Sequence, residues 1–437
     1  MGRAPLTEAS AAACACATPW KRNLWILWAG SLLCSASYTM CVPFLPLFLY
    51  DLGVQGDAVH VWSGAVLSAA FLVGAVMGPF WGVLADRFGK RRMVIRAGIG
   101  LSVVYALFAV VHGPWQLLAV RLLQGFVAGF IPASMALVAS FTPEKRMGWS
   151  LGMMQAGTMS GGILGPLLGG LLAEGFGMRL SFAAAAVLLV LATTAVAAFV
   201  REAPPRAEPT ADAHRPARSA ETESAVASPL KPRFVFSRAI LAMLALLFMY
   251  QLCVNTLQPI VPLHIAEMKH GSTGAVLTSG FVLSLVGIAG MIASPLWGRL
   301  GSSLPSGRIL QLCLLGAGLI VMLQSWTAAV WQFTLVQFVY GFCMAGIAPT
   351  VNTLMVRHTD RAVRGRMFGL TSSANQLGGM AGPLLGGSLG LWLGNRWVFM
   401  AVGFALLAAG AATSLLLQRQ LAEKALTSGP GSSTLEA

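Results

Sequence analysis

Acidic residues are scarce in this chain. Its 437 residues hold 15 Asp and Glu against 29 Lys and Arg, and charged residues make up only 10% of the total. A soluble domain covers its surface with about 25% charge, so an ordinary water-soluble fold is excluded. A hydrophobic fraction of 56% and a mean hydropathy of +0.74 put lipid in the place of solvent. The seven cysteines, at 14, 16, 34, 41, 253, 313 and 343, follow no metal or disulfide spacing and read as small apolar filler. The sequence has no phosphate-binding loop, no ligand cluster with metal spacing and no nucleophile–base pair in a soluble domain. Nothing in it supports an enzyme, a cofactor, a bound metal or an ATP-driven pump.

What is there is apolar sequence in stretches long enough to span a bilayer, about 20 residues each. They are far longer than the ~10-residue segments of an outer-membrane barrel. Twelve spans are expected, at roughly 23–50, 61–84, 93–112, 115–141, 149–172, 180–200, 238–266, 275–297, 309–327, 330–356, 367–393 and 396–418. With the N-terminus inside, the inner segments hold 25 of the 29 basic residues. The outer loops hold three (Arg179, Lys269 and Arg396), and Arg121 lies within a span. That asymmetry is the positive-inside rule. It predicts a multi-pass protein of the plasma (inner) membrane with both termini cytoplasmic, and it assigns the +14 net charge to orientation in the lipid bilayer, not to nucleic acid. Residues 1–22 read as a cytoplasmic tail and not a cleaved signal, because Lys21-Arg22 immediately precede a span too long for a signal segment.

Residues 201–237 are rich in Pro, Ala, Arg, Glu and Ser and read as a flexible cytoplasmic linker. They separate a six-helix half at 23–200 from another at 238–418, with a second cytoplasmic tail at 419–437. The halves align at an offset of 216–217. Pro43 and Pro46 match Pro259 and Pro262, Gly64 and Ser68 match Gly280 and Ser284, and Pro79, Trp81 and Gly82 match Pro295, Trp297 and Gly298. The string Gly-Pro-Leu-Leu-Gly-Gly itself occurs twice, at 165–170 and 382–387. Pro bends a helix and Gly admits a neighbour at backbone distance. The chain is therefore expected to be all-α, with twelve transmembrane helices in two pseudo-symmetric halves and a substrate site between them near the midplane.

Three motifs narrow this further. The loop after the second span reads Gly82-Val-Leu-Ala-Asp86-Arg87-Phe-Gly89-Lys90-Arg91-Arg92. It resembles the cytoplasmic signature of the major facilitator superfamily. The resemblance implies that Asp86 caps and pairs across the inter-half boundary when the cytoplasmic side is closed. The second half has Ser302 in place of the acid. The fourth span contains Arg121-Leu-Leu-Gln124-Gly125, which looks like a second signature of proton-coupled members. Arg121 either faces protein or snorkels back to the headgroups. The fifth span carries Gly157, Gly161, Gly165, Pro166, Gly169 and Gly170, which resemble the antiporter signature of exporters. That resemblance implies close packing of its outer half against the eighth span. The copy in the eleventh span is expected to be an echo of the duplication without that role. Together these motifs resemble the twelve-span drug:proton antiporter branch (multidrug efflux type). The resemblance implies export of small amphiphilic compounds by alternating access; a carrier taking up a specific metabolite such as a sugar is the alternative.

No carboxylate falls mid-membrane. Candidate proton carriers are Asp51, His264 and Glu267 at the outer ends of the first and seventh helices, the last two on one helical face. The cavity is expected to be lined from helices 1, 4, 7 and 10 and their neighbours. Tyr38 and Gln155 come from the first half. Tyr250, Gln251, Asn255 and Gln258 come from the seventh span, and Tyr340, Asn375 and Gln376 from later ones. Such a neutral, aromatic cavity suits varied amphiphiles. A monomer is expected.

Overall fold

The computed structural model describes residues 20–143, 146–200, 238–269, 271, 274–357 and 364–427. The side chains of Asp86 and of residues 238–239, 301–303, 356–366, 368 and 414–427 are outside that description. The tails and the linker expected at 201–237 lie outside the described residues apart from Trp20–Arg22 and the backbone of 419–427.

Twelve helical spans follow one another, with no strand among the described residues. The first half comprises α1 (Trp20–Asp51), α2 (Ala58–Phe88), α3 (Lys90–Val110), α4 (Pro114–Phe141), α5 (Met147–Phe176) and α6 (Met178–Phe199). The second comprises α7 (Arg238–Met268), α8 (Ala275–Ser303), α9 (Ser306–Gln324), α10 (Val330–Met355), α11 (Arg364–Leu393) and α12 (Asn395–Thr427). Eleven of them are long and apolar enough to cross a membrane. The exception is α11, which carries Thr371, Ser372, Ser373, Asn375 and Gln376 along one stretch. That polarity is tolerable because α11 packs against α7 and α2 instead of standing alone in lipid.

Prolines and glycines set the local breaks. In α1, Pro43 and Pro46 interrupt the helix with a 3-10 turn at Val42–Phe44. The matching Pro259 and Pro262 leave α7 continuous. In α4, the helix stops at Val127 and restarts at Phe130, and Gly129 takes φ +123°, which a side chain would resist. The break frees carbonyls inside the bundle. The Trp81 indole donates to Phe126 O at 2.7 Å, and Arg96 donates to Ala128 O at 3.1 Å while lying over the Trp81 ring. In α10, which breaks between Met344 and Ile347, Trp297 donates to Phe342 O at 2.9 Å. Trp81 and Trp297 are 216 residues apart, as are Phe126 and Phe342. The duplication thus preserves a capping bond as well as a composition.

Candidate functional site

We call the end where α1 begins, which also carries Arg87, Lys90, Arg91 and Arg92, the basic end, and the opposite one the far end. The halves meet along two seams, α2 with α11 and α5 with α8. Both seams are built from the part of each helix nearest the far end. A Cβ placed on Gly64 would lie 2.7 Å from Pro383 O, and one on Gly280 would run into Pro166 O. Ser68 donates to Met380 O at 2.6 Å, and Ser284 donates to Ile163 O at 2.6 Å. Gly170 lies against Val276 and Leu277, and Gly387 against the His60 carbonyl. Each of these contacts has its counterpart in the other seam, 216 or 217 residues away. Toward the basic end the picture reverses. Gly78, Gly82, Gly148, Gly152, Gly298 and Gly369 have open space where a Cβ would stand. Val76 and Val83 are strongly exposed. The two halves are therefore closed together at the far end and apart at the basic end.

The repeated glycines form two-faced helices. Gly157, Gly161, Gly165 and Gly169 lie against Trp28, Leu32, Ala36 and Met40 of α1, within the first half. A Cβ at Gly165 would sit 2.5 Å from Ala36 O, and one at Gly169 would sit 2.6 Å from Met40 O. Gly170 and the Pro166 carbonyl turn toward α8, as the Ile163 carbonyl does. The outer half of α5 meets the eighth span at Ile163, Pro166 and Gly170, while the glycines four apart meet α1. Residues four apart share one face, and that face belongs to α1. The copy in α11 is not a silent echo either. Gly378, Gly382 and Gly386 pack on Phe248, Leu252 and Thr256 of α7, while Gly379 and Gly387 face α2. Both copies hold their own half together on one side and meet the other half on the next.

Arg121 is fully buried, so it does not snorkel. Its Nε donates to Val66 O and its Nη2 to Leu67 O, both at 2.9 Å, and Nη1 donates to Gln124 Oε1. Gln124 in turn donates to the Tyr105 hydroxyl at 3.3 Å, and Tyr38 lies beside the guanidinium. Gly125 lets α4 reach Ala70 O on α2. Arg121, Gln124 and Gly125 thus clamp α4 to α2 through backbone carbonyls, with no carboxylate in the set. In the second half Gly341 meets Val286 O in the same way, but Gln337 stands where Arg121 does, and Gln324 donates to it.

Of the three candidate proton carriers, two come together. His264 is buried between Phe333 and Phe399, and its Nδ1 is 3.3 Å from Glu267 Oε2, which reaches solvent. Asp51 sits apart at the end of α1, within electrostatic reach of Arg179. Sequence reasoning passed over His60, whose imidazole lies against Gly390 of the other half and within electrostatic reach of Glu267. It also left Ser68 and Ser284 as mere repeat markers. Their recurrence at the offset where Gly64 and Gly280 recur was the available signal.

The cavity residues divide. Gln155 is exposed, and Tyr38, Tyr250, Gln251 and Asn375 are half-buried. Asn255 is instead turned into packing, with its amide on Gln251 O at 2.8 Å and its Cβ against Gly382. Gln376 reaches across to Gly74 of α2. Gln258 Oε1 and the Tyr340 hydroxyl are buried with no protein partner. Gly82 and Gly89 bracket the basic loop, where Gly89 adopts φ +95°. Arg87 is exposed, Lys90 and Arg91 open α3, and Arg91 donates to Ala197 O. The side chain of Asp86 lies outside the described residues.

Twelve helices in two matched halves, joined at one end and parted at the other, make this a multi-pass membrane transporter, not an enzyme. The chain belongs to the Major Facilitator Superfamily, whose family model matches residues 27–330 and 276–434. It is 34% identical over 382 residues to the multidrug resistance protein MdtG of Dickeya zeae (strain Ech586), covering 87% of this chain and 91% of that one. It is also 34% identical over 401 residues to the MdtG of Enterobacter lignolyticus (strain SCF1), covering 92% and 93%. Among solved structures, the nucleoside transporter NupG superposes with a TM-score of 0.72 at 11% identity, covering 90% of this chain and 99% of that one. A bacterial homolog of the human lysosomal transporter Spinster, in an inward-facing and occupied conformation, also gives 0.72, at 15% identity, covering 90% and 96%. Those two likenesses concern the fold alone.

Proposed function

We propose that this protein exports small amphiphilic compounds, including drugs, in exchange for protons by alternating access. The observation that carries the reading is the pair of symmetric seams at the far end, with the glycine-rich helices parted toward the basic end. If the basic end is cytoplasmic, as the positive-inside rule directs, the structure is the inward-open member of the cycle. The similarity to multidrug resistance proteins over nearly the whole chain supports drugs as the substrate class. Small packing residues let two seams open and close without repacking large side chains. The half-buried polar and aromatic groups Tyr38, Tyr250 and Gln251 offer hydrogen bonds to a ligand without fixing its charge.

The driving force is adequate. One charge moving through ~150 mV releases about 3.5 kcal/mol at ~2.3 kcal/mol per 100 mV. That sustains roughly a 300-fold gradient of a neutral substrate. The test is accumulation of a fluorescent cation and of a neutral dye in everted membrane vesicles, with and without a protonophore. Uptake that collapses with the protonophore is expected. Movement of neither dye, or movement indifferent to the protonophore, overturns the reading.

A further inference from the structure

The two far-end seams share a backbone but not a chemistry. At the α5–α8 seam the position against Gly170 is Val276; at the α2–α11 seam its counterpart against Gly387 is His60. Phe48 packs edge to face on Phe182 at 5.0 Å, and its counterpart His264 packs on Phe399 at 5.3 Å. Asp51 corresponds to Glu267, and Arg179 to Arg396, which is exposed. In the first half, therefore, an acid has a fixed cation of its own half in electrostatic reach. In the second half, the acid has a neutral amide beside it and two imidazoles, one of them supplied by the other half. The acid of the second half thus sits with titratable partners.

Each imidazole also has one ring nitrogen buried without a partner. His60 Nδ1 points at Gly390, 2.8 Å from where a Cβ would stand, and His264 Nε2 is enclosed among aromatic rings. A bare lone pair is tolerable in such a place, whereas a charged N–H with no acceptor is costly. Other titratable groups near this corner are Asp57 in the preceding turn and Tyr50 on α1. The part of α11 that meets His60 presents no titratable side chain, and Arg396 beside Asn395 is exposed.

We propose that His60, His264 and Glu267 form a proton-binding site that straddles the two halves at the far end, and that proton uptake there loosens the α2–α11 seam. This deepens the reading of Glu267 and His264 as proton carriers by adding the partner from the first half and a direction. Neutral imidazoles fit the closed seam. The proton adds an N–H⁺ to His60 Nδ1, which has no acceptor until the seam parts and water enters. The closed end is favoured above the ordinary histidine range, near ~6.5, and gives way below it.

The test is a spin-label distance measurement on the whole chain in lipid nanodiscs, between exposed far-end positions 55 and 326, with Cys14, Cys16 and Cys343 replaced by Ser. No drug is present. The ratio of closed to open populations is expected to fall about tenfold between pH 8 and pH 5.5, the effect of one pH unit of linkage. His60→Val and His264→Phe install the residues of the other seam, which that seam already accommodates. Each is expected to reduce the response, and together they should abolish it. A pH-independent ratio in the unaltered chain, a closing of the far end at acid pH, or a full response in the double variant overturns the proposal. Vesicles that fail to move dye while this response stands would defeat the export reading and leave the site intact.

Discussion

Arg121 holds three acceptors at once because its guanidinium is a planar fork. Lysine offers a point charge that cannot span two consecutive carbonyls and an amide. Arg121→Lys is therefore expected to lower thermal stability in detergent by about 3 kcal/mol, the scale of an uncompensated buried charge, and to reduce dye transport more than tenfold. Arg121→Gln, which imports the residue of the second half, should be milder in stability and equally inactive if the charge itself serves coupling. Thermal unfolding and vesicle transport on the same preparations separate the two outcomes. Glycines give a second test at this scale. Gly165→Val places carbon into Thr39 and Ala36 and should cost about 1–3 kcal/mol of overpacking, read as lost expression and a lower melting temperature. Gly152→Ala meets open space and should be neutral. The importance of Arg121 was legible from its depth in an apolar run. Its partners were not, because backbone carbonyls carry no sequence signal.

A helix such as α5 or α11 has to satisfy two neighbours with one row of small residues and its flank. Residues four apart make the face toward α1 or α7, and those one step round make the face toward the other half. Sequence alone shows small residues recurring and cannot say which neighbour each one meets. The row in α5 meets α1 with Gly157, Gly161, Gly165 and Gly169, and α8 with Pro166 and Gly170. Helix positions were legible from the length of the apolar runs, and the twelve expected spans agree with the helices to within a few residues at most ends. The breaks in α4 and α10 were less so. Gly129 hints at one, but its capping depends on Trp81 and Arg96, distant in sequence. At this scale the seams predict an additive result. Ser68→Ala and Ser284→Ala each remove one hydrogen bond between the halves, worth about 1 kcal/mol. Each should shift the closed-to-open ratio at the far end about fivefold toward open, and the double variant about 25-fold, because the sites lie in separate seams. Spin-label distances across the far end read this directly.

For the whole molecule, duplication supplies the mechanism and divergence supplies its chemistry. Two copies of one half give two equivalent seams, so the far end closes evenly. Several polar and charged groups have no match across the repeat. Arg121 faces Gln337 across the repeat, His60 faces Val276, and Asp86 faces Ser302. The duplication was legible because proline and glycine recur by chance far less than leucine does. The division of labour between the seams was not, since it depends on which side chain of one half lands against the other. At this scale Asp86→Asn is expected to leave insertion and yield unchanged while abolishing transport, because the basic end then lacks its acid when it closes. Normal flux in that variant would remove Asp86 from the gate. The most direct test of the account remains dye accumulation in everted vesicles. Energised vesicles carrying the protein should concentrate an amphiphilic dye and lose it within the same run when a protonophore is added. Equal accumulation with and without the protonophore, or none above vesicles lacking the protein, would contradict proton-driven export.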